Sequence, residues 1–148
     1  MSMFIYTVRS MRPSDLNLIL NSWMLSNRWT EAKMENVGYF PSMERKIRMI
    51  LERATVTVFC NENVDQVYGW CCYESYPGCH IVHYAYLKNS FREFGIFRKF
   101  AEETFTKDRP IYITHSTKKL DYLKAVHGIS YDPMLAWLGS YRWQSKSA

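Results

Sequence analysis

The spacing of apolar positions changes period several times along the chain, and each change marks a predicted element. Phe4 to Val8 is a short apolar run that reads as a strand and ends in the segment Arg9 to Pro13. Ser14 can then cap a helix, because its hydroxyl accepts from a free N–H of the first turn. Leu16, Ile19, Leu20, Trp23 and Met24 recur at helical spacing and form that helix's buried stripe. Asn27 to Pro41 has no period and reads as an irregular connection, whose Trp29, Tyr39 and Phe40 either line a cleft or cover the core. From Ser42 a second helix puts Met43, Ile47, Ile50, Leu51 and Ala54 on one face and Arg45, Lys46, Arg48 and Arg53 on the other. That basic face is expected to be solvated, with a nucleic-acid groove as the rival reading.

Further on, the period drops to two. Thr55 to Cys60 is a strand rich in β-branched residues, Asn61 to Asp65 a polar turn, and Val67 to Tyr73 the next strand. Pro77-Gly78 turns the chain, and His80 to Lys88 is expected to return antiparallel. Phe97, Phe100, Ala101, Thr104 and Phe105 share one face of the helix that follows. Pro110 to Thr114 is a strand, and Lys118 to Val126 a short basic helix ended by Gly128. Ile129 to Tyr131 and Met134 to Trp143 close the sheet, with residues 143–148 as a disordered tail. The order predicts an α/β (α+β) chain: a mixed central sheet of about six or seven strands flanked on both faces by about four helices. Its 148 residues are expected to form a single domain.

Composition narrows the class. At 47% hydrophobic and 16% aromatic residues, the chain can fill a core, which a disordered segment cannot. No apolar run approaches the roughly 20 residues of a membrane span. The opening MSMFIYTVRS lacks the basic-then-apolar layout of a signal peptide, so the cytoplasm is the expected compartment and no membrane partner is expected. Cys60, Cys71, Cys72 and Cys79 fit no CxxC spacing and read as buried free thiols. Cys71 and Cys72, adjacent in a strand, should face opposite sides of the sheet. Cys79, His80 and His83 offer a structural zinc set as the alternative, and no metal is assigned.

The net charge of +5 comes from 19 basic and 14 acidic residues, and nine basic against five acidic lie between Lys88 and Lys124. The excess therefore surrounds one segment, Tyr84 to Phe105. There an apolar run (Tyr84, Ala85, Tyr86, Leu87) meets a loop holding Arg92 and Gly95, and the Phe97 helix begins. A loop in that position faces the free N–H groups and positive end of the helix, which makes an anion site. Lys88, Arg92, Arg98 and Lys99 reinforce it.

A strand, then Arg92-x-x-Gly95-x-Phe97, then a helix resembles the acyl-CoA motif Q/R-x-x-G-x-G/A of the GNAT family of N-acetyltransferases. Arg12-Pro13-Ser14-Asp15-Leu16 is similar to that family's first strand-to-helix junction, and the element order matches from Phe4 to Trp143. Asp132-Pro133-Met134-Leu135 resembles the Asn-Pro-x-Leu tails of small bacteriophage proteins of this kind. The resemblance implies a GNAT fold with a parallel, splayed strand pair, acetyl-CoA as co-substrate and an amine as acceptor. It implies pyrophosphate-binding amides from Arg92 through Glu93, Phe94, Gly95 and Ile96 to Phe97. It also implies a pantetheine arm along Tyr86, Leu87 and Lys88, with a further contact from Ser116 or His115. Phe97 departs from the family's small residue. If the ring joins the helix stripe the amides remain free to bind, and if it turns outward it fills the phosphate space.

In the family the base is often a carboxylate on the strand before the motif. His83 and Tyr84 stand there instead, and the strand carries no acid. His83 is the candidate base, since a pKa near 6.5 suits proton transfer, with a packed core histidine as the alternative. Glu74, at the end of the preceding strand, is the second candidate. If Ser75 pairs with His80, then Cys72 lies opposite His83 and the two could make an activated thiolate, an arrangement that a one-residue slip destroys. The family's acid is a tyrosine four residues before the last helix's glycine. Lys124 holds that position here, so Tyr122 is the candidate acid.

An N-acetyltransferase is the first reading. A nucleic-acid-directed modifying enzyme is motivated by the charge and by Arg45, Lys46 and Arg48. A catalytically inactive GNAT-fold binding protein, directed at a host factor, is motivated by Phe97, the missing strand carboxylate and the displaced tyrosine. The segment Leu135 to Trp143 is a candidate edge for a homodimer.

Overall fold

A computed structural model describes residues 5–28, 36–115 and 129–136. Six strands lie side by side in chain order: β1 (Thr7–Ser10), β2 (Thr55–Cys60), β3 (Val67–Tyr76), β4 (Cys79–Leu87), β5 (Ile111–Ile113) and β6 (Ser130–Tyr131). The pairs β1/β2, β2/β3 and β3/β4 are antiparallel, whereas β4/β5 and β5/β6 are parallel. The described helices are α1 (Leu16–Arg28), α2 (Asn36–Arg53) and α3 (Ile96–Thr104). The chain thus forms the expected mixed sheet, antiparallel in its first half.

The first strand pairs from Thr7 to Ser10, later than the Phe4 to Val8 run suggested. The helix start that follows is capped by Asp15 and not by Ser14. The Asp15 carboxylate accepts from the Arg12 N–H at 2.7 Å and from Nη1 and Nη2 of Arg9 at 2.7 and 2.9 Å. Those bonds from Arg9, with the Arg12 N–H, hold the Asp15 carboxyl below its usual range although burial opposes them.

Helix α2 starts at Asn36, so much of the expected connection is helical and Pro41 sits inside the second turn. Pro41 has no N–H for the Val37 carbonyl, but the apolar stripe runs on across it from Phe40 to Met43, Ile47 and Ile50. Tertiary burial outweighs the local break. Residue Trp29 and the Tyr39 side chain lie outside the description.

Two cores cover the two faces of the sheet. Helices α1 and α2 pack Ile19, Trp23, Ile47 and Ile50 against Val58, Trp70, Cys72 and Tyr84. Helix α3 packs Ile96 and Phe100 against Phe59, Tyr68, Cys71 and Val82 on the other face. Cys71 and Cys72 do point to opposite sides, and all four cysteines are free and buried. Burial raises their pKa values, that of Cys72 most clearly, so none is an activated thiolate. Met134 opens no strand, because Pro133–Ala136 is a 3-10 turn. The expected Lys118 to Val126 helix lies outside the described residues.

Candidate active site

Strand β4 carries a bulge. Ser75 pairs with His80 as the hairpin count required, but the register steps between Cys72 and Tyr73, so that Cys72 faces Tyr84 and Tyr73 faces Val82. His83 is the extra residue. The expected Cys72–His83 pair is therefore absent, for the reason that a one-residue step moves every partner. A bulge also places two consecutive side chains on one face. His83 reaches Glu74, and Tyr84 stacks on Trp23 of α1 at 5.4 Å, both on the α1/α2 side.

At the same level β4 and β5 part. Their pairing ends at Val82 and Ile113, and the Thr114 N–H reaches the Val82 carbonyl at a stretched 3.3 Å. Strand β4 continues to Leu87 with no strand beside it on that edge among the described residues. Since the Lys88 N–H bonds back to Tyr68 in β3, strand alternation turns the peptide groups of Leu87 and Ala85 to the open edge. The fork is an unfilled strand position with backbone donors and acceptors along one side.

A chain of buried polar groups closes the apex of the fork. Glu74 Oε2 lies 2.7 Å from His83 Nε2, His83 Nδ1 lies 2.9 Å from Thr114 Oγ1, and Thr114 Oγ1 lies 2.9 Å from His115 Nδ1. His115 Nδ1 is also 3.1 Å from the His83 carbonyl, which can only accept. The proton of His115 is therefore on Nδ1, and its Nε2 carries a lone pair. Glu74, if ionised, likewise fixes the His83 proton on Nε2, so Thr114 donates to His83 Nδ1 and accepts from His115.

Glu74 is held by more than His83. Tyr76 donates its hydroxyl to the other carboxylate oxygen, and the Arg53 guanidinium of α2 lies 3.4 Å away. Burial alone would raise the Glu74 carboxyl, but the bonds from His83 and Tyr76 and the charge of Arg53 bring it below its usual value. Burial pushes His83 down, against the pull of Glu74. It pushes His115 further, to about 3, helped by Lys46 and His83. The resting network is thus an ionised Glu74 and two neutral imidazoles.

Beyond the open edge lies the turn into α3. A 3-10 segment over Asn89–Phe94 ends at Gly95, whose φ of +69° is left-handed. Glycine is used there for its backbone freedom, since a Cβ would meet nothing within 4 Å. Phe97 is half-buried and packs inward near Phe100. Arg92 folds back, donating from Nε to the Leu87 carbonyl at 2.8 Å and lying over the Tyr86 ring.

No family model matches the chain, and no curated protein matches it significantly. Solved structures do. A predicted acetyltransferase with acetyl-CoA from Clostridium acetobutylicum is 13% identical, with a TM-score of 0.54 over 84% of this chain and 89% of that one. A candidate acetyltransferase from Pyrococcus furiosus is 14% identical, with a TM-score of 0.55 over 82% of this chain and 91% of that one. The chain has the GNAT fold. The same architecture occurs in a transcriptional regulator from Bacillus halodurans C-125, 15% identical with a TM-score of 0.51 over 84% and 91%. A GNAT fold therefore does not by itself fix an activity, and what this chain does is argued from its own residues.

Within that fold the sequence-derived residues fall into two groups. His83 and Glu74 meet in one hydrogen bond; Leu87 turns its peptide group to the open edge, whereas the Tyr86 peptide and the Lys88 N–H turn to β3, and Arg92, Phe94, Gly95, Ile96 and Phe97 belong to the α3 turn. Glu93 is in the 3-10 segment, and its side chain is outside the description, as are Ser116 and Tyr122. Arg98 pairs with Glu102 at 3.5 Å and Lys99 lies over Tyr6, so neither is committed to the turn. Arg53 leaves the expected solvent face to pair with Glu74 and the Ala136 carbonyl. Thr114 and Arg53 carry no sequence signal of their role. Among the described residues no group of His, Cys, Asp and Glu is placed to hold a metal.

Proposed function

We propose that the protein is an acyl-CoA-dependent N-acetyltransferase that moves acetyl from acetyl-CoA to an amine. The observation that carries this reading is the fork, where β5 ends its pairing at Ile113 while β4 runs on to Leu87 with no strand on that edge among the described residues. An extended arm with amide groups fits an empty strand position, and a pyrophosphate fits the N-terminus of α3. Acetyl-CoA would supply an activated thioester. The chain's own part is to hold the arm through the peptide groups of Ala85 and Leu87 and the phosphates through the amides from Arg92 to Phe97. Arg92 would leave the Leu87 carbonyl to the arm and turn to the phosphates. The base lies in the Glu74–His83 network and Tyr122 serves as the acid. Buried free thiols suit a cytoplasmic setting, and the likeness of the Asp132 to Leu135 segment to bacteriophage tails is the ground for proposing a bacteriophage origin.

A second reading is favoured by Arg92. Its guanidinium already satisfies the Leu87 carbonyl, as it would in a GNAT-fold protein that binds a partner and no cofactor. Calorimetry with acetyl-CoA on the native protein and on Phe97→Ala separates the two. The enzyme reading expects native binding in the micromolar range and no gain from Phe97→Ala, because the ring already faces inward. Absent native binding, restored by Phe97→Ala, would overturn it.

A further inference from the structure

Among the described residues four buried side-chain nitrogens lack a hydrogen-bond partner: Arg9 Nε, Trp23 Nε1, Arg53 Nε and His115 Nε2. Three of them lie on or against the chain that runs from Glu74 to His115. Arg53 faces Glu74. The Trp23 ring stands edge-to-face with His115 at 5.3 Å, and Tyr84 flanks both. Neighbouring Trp70 shows the contrast, since its Nε1 donates to Ser22 Oγ at 2.9 Å. A fully buried donor on Trp23 and a buried lone pair on His115 therefore sit without partners in one aromatic box. Leaving such groups unpaired costs free energy, and a ligand that both donates and accepts would remove that cost. The box is at the apex of the fork, where His115 bonds to the His83 carbonyl just beyond the last paired residues.

We propose that His115 Nε2 is the atom that takes the proton of the acceptor amine, that Trp23 and Tyr84 wall an acceptor subsite for small uncharged amines, and that Thr114 relays the charge to His83 and Glu74. The proposal rests on the acetyltransferase reading for the transfer step, but not for amine binding. His83 does not touch an amine itself, because both of its ring nitrogens are engaged. His115 is the end of the chain with a free lone pair.

The bonds balance as follows. The amine nitrogen bonds to the acetyl carbonyl carbon, and the C–S bond breaks with its electron pair leaving on the sulfur. The amine's proton goes to His115 Nε2, the Nδ1 proton of His115 passes to Thr114 Oγ1, and the Thr114 proton passes to His83 Nδ1. Positive charge ends on His83, against the Glu74 carboxylate, while Tyr122 gives its proton to the thiolate; after the products leave, the extra proton returns along the same path to solvent and Tyr122 regains one from solvent. Lys46 of α2 disfavours a cation on His115, and Arg53 and Lys46 disfavour one on His83, but among the described residues His83 is the imidazole of the two that touches a carboxylate. His115 is thus the catalytic residue, and Thr114, His83 and Glu74 are positioning residues. Among the described residues no carboxylate acts on His115, so the acceptor enters neutral.

The first probe is aniline, which is uncharged at neutral pH, added without acetyl-CoA to protein labelled with nitrogen-15 histidine. The His115 Nε2 resonance should shift in the native protein while His83 Nε2, bonded to Glu74, moves little. The second measurement is CoA release with acetyl-CoA and aniline, or spermidine, across pH 6 to 9. Native protein should favour aniline. His115→Gln should lower kcat about a hundredfold. Thr114→Val should lower kcat about tenfold at constant KM, with the acid limb of its pH profile moved downward because His115 must hold the charge alone. A shifted His115 resonance without acetyl-CoA binding would keep the amine subsite and discard the transferase reading. Bound acetyl-CoA, a silent His115 resonance and full activity in His115→Gln would overturn the proposal and leave the enzyme.

Discussion

Acidifying the protein from pH 7 to pH 5 is expected to remove about 2 kcal/mol of stability through His115 alone. Burial, then the charges of Lys46 and His83, bring this imidazole from 6.5 to about 3 in the folded chain. Once unfolded, the ring titrates near 6.5, so below that pH the unfolded state binds a proton that the folded state refuses. That proton favours the unfolded chain by about 2.1 kcal/mol at pH 5 and about 0.2 kcal/mol at pH 7, and the folded ring takes up almost none at either. The contribution of His115 is therefore whole above about pH 6.5 and is lost progressively as pH falls toward 3. His83 and His80 are also lowered, and act in the same direction. Glu74 and Asp15 are carboxyls held below their usual values, so their losses begin below this window. The assay is urea unfolding followed by tryptophan fluorescence at both pH values, in the native protein and in His115→Gln. The native protein should lose about 2 kcal/mol more than the variant between pH 7 and pH 5. Equal losses would refute the reasoning, because they would mean that His115 is solvated or already charged.

Three further outcomes follow from packing. At Gly69 an added Cβ would lie 2.2 Å from the Tyr86 carbonyl oxygen and 2.9 Å from the Leu87 Cα, both backbone. Gly69→Ala should therefore cost about 3 kcal/mol or more, whereas Gly95→Ala, strained only by its φ, should cost about 1–2 kcal/mol; thermal unfolding of the two variants checks the order. Asp15→Asn removes the charged partner of a mostly buried Arg9 and should cost about 3 kcal/mol, read from urea midpoints at pH 7, with the difference from the native protein shrinking as acid protonates Asp15. In a double-mutant cycle, Arg53→Met and Glu74→Gln should show a coupling of about 1 kcal/mol, and strict additivity would mean that the 3.4 Å pair contributes nothing.

By itself the sequence determined the alternation of elements, because period two and helical spacing are local properties of the chain. It located α3 by the stripe from Phe97 to Phe105 and Gly95 in the loop before it, and it placed Cys71 and Cys72 on opposite faces by parity alone. It also named both His83 and Glu74, though not what joins them. Only the tertiary structure decided the rest. Helix α2 passes through Pro41 because its apolar stripe has a core to cover, which outweighs one lost hydrogen bond. Arg53 looks like one more basic residue on a solvent face until β3 brings Glu74 to it. The bulge at His83 has no local signature, yet it turns His83 and Tyr84 to the same side and removes Cys72 from its partner. Thr114 and His115 acquire their roles only because β5 stops short of β4 and leaves their side chains to bridge the gap. Register and strand length depend on contacts between residues about thirty positions apart, and those contacts exist only once the sheet has formed.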